Sequence, residues 1–404
     1  MRKLWRRLPP PSPDTSGVAN VFYGMNGLVV FDDVQGCATN YSIYDEWRDA
    51  GIPNNIHPAK ITNLDVVMGT GRQLNRRIDE LLELMPKAEF IILGGSPLSS
   101  FIGTDLDAVC RNLTGRLGIP AAAIPVSGHD YYDKGAQRAL LALGAMMLKG
   151  ERRELPKSVN LLGALTLNLD EAAVAGLKIW SAGNGLTVLG NWGGNEETER
   201  LSNGKNASCN LVISQSALGL ARRMEEEYGI PYAVGFPCGV KAAEVLAAAL
   251  TGAPGSGRSS SGSGPWGRML VIGEQILSNS LRSMLYADLG ASRVDVASLF
   301  AMDRAYMEQE DIRIQDEEEL CAHLARTSYD IIIADPFFER FARECVHSPS
   351  FVALPHTAIS SKLFLEEFPP LTGAQAVRYW QEALDAAVLQ RRDGEHAPIT
   401  EYIP

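Results

Sequence analysis

Cysteine and histidine carry most metal and redox chemistry, and the cysteines of this chain are few and scattered. They are Cys37, Cys110, Cys209, Cys238, Cys321 and Cys345, with no C-x-x-C pair among them. The ordinary role of each is that of a small buried hydrophobe. Cys37 differs by its place. It lies in Asp32-Asp33-Val34-Gln35-Gly36-Cys37-Ala38, directly after the apolar run 27–31. A thiolate in such a turn is a soft ligand for iron, and Gly36 beside it lets the backbone approach a bulky group. A four-iron cluster takes about four protein ligands. Cys37 is therefore either structural or one member of a set that partners complete, and spacing alone favours the structural reading. Asp32 and Asp33 suit capping, their more ordinary role, or oxygen ligation.

Other motifs are informative mainly by what is missing. No G-x-x-x-x-G-K-[ST] occurs, so no nucleotide is expected to be bound or hydrolysed by this chain. Gly183-Asn184-Gly185 and the run Gly190 to Gly194 are glycine-rich but do not form G-x-G-x-x-G at a strand-to-helix turn. No H-E-x-x-H or G-x-S-x-G is present. His356, in Leu354-Pro355-His356-Thr357, follows an apolar run and could sit in a strand-end loop. A satisfied surface or core histidine is its more ordinary role.

The elements that must hold these residues follow from hydrophobic periodicity. Runs 27–31 and 89–93 read as buried strands, and Gly71 to Met85 carries Leu74, Ile78, Leu81, Leu82 and Met85 as a helical stripe. Strand, helix, strand in that order implies a right-handed crossover and a parallel sheet. The pattern restarts at Ser158 and again at Arg268, with later strands at 207–213 and 330–335. A Gly/Ser stretch at 255–265 reads as a connector, and 374–390 reads as a closing amphipathic helix. The expected fold is α/β, with three doubly wound, Rossmann-like parallel-sheet units. The first covers 1–155 together with the closing helix 374–404, the second 156–265 and the third 266–373. Ligands in such sheets sit beyond the carboxyl ends of the strands. A small-molecule substrate is therefore expected among the loops Gly94 to Ser99, Ser214 to Ser216, Phe236 to Gly239 and Pro355 to Thr357.

Composition narrows the function classes. At 404 residues, 46 % hydrophobic and 21 % charged, the chain is ordinary globular protein, long enough for two or three domains. A net charge of −11 disfavours phosphate-driven binding of nucleic acid. The start, MRKLWRRLPPPSPDTSG, is basic but lacks an apolar signal core, and reads as an extended arm. No apolar run is long enough to span a bilayer. A cytoplasmic, reducing setting is expected.

Five blocks in order resemble nitrogenase component 1 subunits. Residues 16–48 resemble the N-terminal cluster-binding segment, most closely that of the B-type subunit of light-independent protochlorophyllide reductase. Residues 61–93 resemble the next family segment, in which a threonine-rich strand leads to a helix and a second strand. Phe101-Ile102-Gly103-Thr104-Asp105-Leu106 resembles L-I-G-D-D-[IL]. Asn160-Leu161-Leu162-Gly163 and Arg222 to Tyr232 match two further blocks. The resemblance implies a cluster-ligand role for Cys37 and a shared 4Fe-4S cluster. It also marks departures. Two further cluster cysteines of the family fall near Ser16 and Pro97, and the cofactor-anchoring cysteine falls at Ser214. What is implied is one subunit of a heterodimeric or heterotetrameric oxidoreductase. A homologous subunit would supply the other ligands, and a separate ATP-dependent iron-sulfur protein would deliver electrons. The substrate would be tetrapyrrole-like or another small molecule, not dinitrogen. The alternative is a non-catalytic scaffold or metallocofactor-binding protein of the same fold.

Overall fold

The computed structural model describes residues 5–48, 54–252, 262–345 and 349–393. Thirteen strands among them form three sheets, every pairing parallel. The first comprises β1 (Leu28–Phe31), β2 (Ile56–Pro58), β3 (Ile91–Gly94) and β4 (Ala121–Ile124), in the order β2-β1-β3-β4. The second comprises β5 (Leu155–Leu162), β6 (Thr187–Trp192), β7 (Ala207–Val212) and β8 (Tyr232–Val234), in the order β6-β5-β7-β8. The third comprises β9 (Arg268–Ile272), β10 (Arg293–Ser298), β11 (Ile312–Arg313), β12 (Ile331–Ala334) and β13 (Ser350–Ala353), in the order β11-β10-β9-β12-β13. In each sheet the first strand lies inside. The chain fills one side of it and then crosses to the other, which leaves a crevice beside the carboxyl end of β1, β5 or β9.

The chain gathers into two compact units. One is Pro11–Gly235 with Thr357–Leu363, and it contains the first two sheets. The other is Met1–Pro10, Phe236–His356 and Phe364–Pro404, around the third sheet. The closing helix Gly373–Asp393 thus belongs with the third sheet, not with residues 1–155. It lies along β13, with Trp380 buried and its indole N–H donating to the Pro370 carbonyl at 3.2 Å, while Trp266 donates to Asp385 at 2.8 Å. An amphipathic stripe says that a helix is covered but not by which sheet. The Gly/Ser connector lies mostly outside the described residues.

In the first sheet, all four residues of β1 are fully buried, which fits a parallel strand covered on both faces. Helix Gly71–Leu84 packs Leu74, Ile78 and Leu81 against Leu28, Val30, Ile91 and Leu93. On the other face Phe31 lies over Gly94, where a Cβ would collide with its ring. Helix Asp14–Phe22 is buried along its whole length against helix Tyr132–Met147. Gly17 and Gly135 allow that crossing, since a Cβ at either would strike the facing helix backbone.

Around the third sheet, the N-terminal arm is held by one carboxylate. Glu317 Oε1 accepts the backbone N–H groups of Arg6, Arg7 and Leu8 at 2.8, 2.8 and 2.9 Å, and Leu8 is buried. Burial pushes the Glu317 carboxyl up, but the three backbone bonds and Arg7 together outweigh it, and the net shift is downward. A lowered folded-state value means this stabilisation is present above the ordinary carboxylate range and is lost as pH falls through the folded-state value. Glu317→Ala is expected to cost about 2 kcal/mol. It should also expose Arg6 and Arg7 to trypsin at neutral pH. Cleavage no faster than in the unaltered chain would contradict the clasp.

Candidate functional site

The turn after β1 gathers the groups that sequence singled out. Asp32 and Asp33 are 1 % and 5 % exposed, and each is fastened within the fold. Asp32 Oδ2 accepts the Thr70 hydroxyl at 3.1 Å, and its carbonyl accepts the Ser96 hydroxyl at 2.7 Å. Asp33 Oδ1 accepts the Val34 N–H at 2.8 Å, and its carbonyl accepts the Ile61 N–H at 3.1 Å. The chain then runs helically from 35 to 44, with Cys37 exposed on its first turn. The Cys37 S–H donates to the Asp33 carboxylate; burial, the Asp33 charge and this bond all push the thiol up from its ordinary value. Cys37 is therefore held protonated near neutral pH, and a metal binding there displaces a proton.

Tyr41 and Gly36 complete the turn. The Tyr41 ring lies 4.3 Å from that of Phe31, its side chain is buried, and its hydroxyl has no hydrogen-bond partner. Gly36 is exposed, and a Cβ there would meet open space. No contact within the chain demands glycine at that position, so the room beside Cys37 is available to a group from outside.

The other ligand positions suggested by resemblance are committed elsewhere. The Ser16 hydroxyl is buried in helix Asp14–Phe22 and donates to Asp45. Ser96 caps helix Pro97–Ile102, its Oγ accepting the Ser99 N–H at 3.1 Å, and Pro97 fills the first helical position. Ser214 is fully buried in the crevice beside β5, packed against Gly163. The remaining free thiols are buried: Cys110 and Cys209 are pushed up by burial to about 12 and about 11, and Cys238 is pushed up further. Cys321 is disulfide-bonded, a pairing that the scattered spacing did not predict. Among the described residues no three His, Cys, Asp or Glu side chains gather as a metal site. Among the described residues the protein thus offers one accessible thiol at this edge.

Seven apolar side chains are exposed on the three segments that meet near this turn. Val34, Ile43 and Tyr44 flank Cys37, Leu64, Val67 and Met68 line helix Asn63–Met68, and Phe101 is 90 % exposed on helix Pro97–Ile102. One polar link ties these pieces together. Thr70, just past Met68, meets both Asp32 and the hydroxyl of Thr104, just past Phe101, the latter at 2.9 Å. At the usual sizes of such residues the seven expose roughly 800 Å², about one partner's share of a standard interface and more than most monomers leave open. The threonine-rich strand expected near residue 61 is in fact this short helix, started by a Thr62–Asp65 capping box; the edge strand β2 comes earlier. Sequence reading missed the helix because Leu64, Val66, Val67 and Met68 look like a buried run.

The substrate loops separate on inspection. Gly95 and Ser99 line a cavity of about 360 Å³ with Thr104, Asp105 and Arg138, at the carboxyl ends of β3 and β4. His356 is a core residue, 4 % exposed, with its ring 5.1 Å from that of Phe300, and burial pushes it down to about 3. A larger hollow of about 620 Å³ lies at the β6 edge of the second sheet, where Arg200 is occupied with the Val188 and Leu189 carbonyls.

Comparison with known proteins fits this frame. The sequence model of the family described as nitrogenase component 1 type oxidoreductase matches residues 15–260. The nitrogenase iron-molybdenum cofactor biosynthesis protein NifE of Rhodobacter capsulatus is 31 % identical over 181 residues, 43 % of this chain and 36 % of that protein. NifE of Clostridium pasteurianum is 29 % identical over 191 residues, 45 % and 39 %. The nitrogenase molybdenum-iron protein alpha chain of Azospirillum brasilense is 26 % identical over 181 residues, 42 % and 36 %. The matched part is thus little more than a third of these relatives' length. A solved structure titled "Nitrogenase Cp1 at pH 6.5" superposes with a TM-score of 0.72 at 14 % identity, covering 100 % of this chain and 98 % of that one. No helix among the described residues is long and apolar enough to cross a membrane. With more than half of its length matched by the family's sequence model, the chain belongs to the nitrogenase component 1 type oxidoreductases.

Proposed function

We propose that this protein is one subunit of a nitrogenase-like iron-sulfur reductase, working in the cytoplasm, in which Cys37 is its single ligand to a shared 4Fe-4S cluster. The observation that carries the reading is the exposed free thiol at the turn after β1, the only one among the described residues, on segments that also expose apolar side chains. The fit is that of one ligand in a shared set. Cys37 is accessible, the space at Gly36 is open and the Tyr41 hydroxyl is unsatisfied, while Ser16, Ser96 and Pro97 are engaged in the fold. A cluster held there would supply one-electron storage and transfer. This chain would bind it through Cys37, shield it with Val34, Ile43 and Tyr44, and receive a homologous subunit bearing the other ligands on these segments. Electrons would come from a separate ATP-dependent iron-sulfur protein, as the family resemblance implies; the sequence carries no G-x-x-x-x-G-K-[ST] motif. A small-molecule substrate, tetrapyrrole-like or other, would lie at the strand-end loops, where the cavity at Gly95 and Ser99 is one recess. Dinitrogen is disfavoured because Ser214 is a hydroxyl where the resemblance calls for a thiolate. Nucleic acid is disfavoured by the charge of −11.

A second reading is favoured by the names of the relatives, several of which are cofactor biosynthesis proteins. In that reading the same edge holds metal only in transit. Anaerobic purification of the tagged chain from its native cells, with iron and sulfide counted before and after incubation with a chelator, separates the two. A reductase subunit should co-purify with a homologous chain and retain about four irons per cluster. Metal lost quickly and completely would support the scaffold, and a metal-free monomer would end both readings.

A further inference from the structure

Tyr41 lies one helical turn after Cys37, and side chains four residues apart share a helix face. Its ring is fixed against Phe31, and the charges of Asp33 and Cys37 both act on its phenol, which marks them as near neighbours. The hydroxyl is nonetheless a buried donor without an acceptor. Such groups are rare in folded proteins and point to a missing partner. Asp33 accepts the Val34 N–H and the Cys37 S–H, and no hydrogen bond from Tyr41 reaches its carboxylate.

We propose that Tyr41 is a positioning residue for the ligand sulfur, donating its O–H to the Cys37 sulfur once a metal has replaced the thiol proton. The inference rests on the ligand role given to Cys37 above. When the metal–sulfur bond forms, the S–H bond breaks and the proton passes to solvent. The sulfur is then an acceptor only, beside an acidic neighbour, and Tyr41 is the donor on the same helix face. In the metal-free protein the phenol has no bond to give up, so the new hydrogen bond favours the metallated state outright. Hydrogen bonds to ligand sulfurs also tune the potential of iron-sulfur centres.

The test uses the full-length chain and methylmercury, which binds a single accessible thiol and needs no partner subunit. Its distribution between Cys37 and glutathione is measured for the unaltered protein, for Tyr41→Phe and for Tyr379→Phe, with Cys37→Ala as the blank. Phenylalanine keeps the ring against Phe31, so a purely packing role would leave the distribution unchanged. Tyr41→Phe is expected to weaken retention about 3- to 10-fold, the worth of one hydrogen bond. Tyr379→Phe, altered at an exposed ring on the closing helix, should match the unaltered protein. Equal retention in Tyr41→Phe and the unaltered chain would overturn the inference whether or not the native complex carries iron. Iron that persists in a Cys37→Ala complex would overturn the cluster reading and leave the mercury result standing by itself.

Discussion

Exchanging Met68 and Phe101 together for glutamate is expected to break the association with the homologous subunit proposed above. Both side chains are strongly exposed, 71 % and 90 %, so their replacement costs the isolated chain little. Buried at the centre of an interface, each would carry about 2 kcal/mol, and a buried unpaired carboxylate would cost more than the lost contact. The expected result is at least a 100-fold weaker complex by sedimentation velocity, on the order of two such anchors. Thermal unfolding of the free chain should be unchanged. A complex that survives the double exchange at full affinity would show that the partner docks elsewhere.

That expectation depends on a surface that sequence concealed. The strands were legible because parallel strands covered on both faces must be continuous apolar runs, as at Leu28–Phe31 and Ile331–Ala334. Helix Gly71–Leu84 was legible from the spacing of Leu74, Ile78 and Leu81. Residues 63–68 were not. Their apolar side chains look the same in sequence whether they face a core or a partner, and the capping box that starts the helix is a polar signal at its edge. The closing helix was seen but assigned to the wrong sheet, because periodicity does not encode the tertiary neighbour.

The candidate site stood out in sequence at one residue and was obscure in its surroundings. Cys37 stood out by following a strand, but only folding shows it exposed while Cys110, Cys209 and Cys238 are buried. Asp33 looked like a cap and does bond the next N–H, yet it also accepts a hydrogen bond from the Cys37 thiol. Tyr41 carried no signal. An aromatic residue near a strand end is ordinarily core, and the unsatisfied hydroxyl emerges only when every neighbour is in place.

The largest expected effect is at Cys37 itself. No second accessible thiol lies among the described residues to replace it, and a cluster missing one thiolate loses a strong metal–sulfur bond with no compensation from solvent. Cys37→Asp should keep part of the metal, because a carboxylate can complete the set with a harder, weaker donor. The decisive measurement is iron and acid-labile sulfide per complex, with the paramagnetic resonance spectrum after reduction, for the anaerobically purified complex and its Cys37→Ala counterpart. The account predicts that alanine removes the cluster signal and most of the iron and sulfide while the chain remains folded. Iron, sulfide and spectrum unchanged in Cys37→Ala would contradict it.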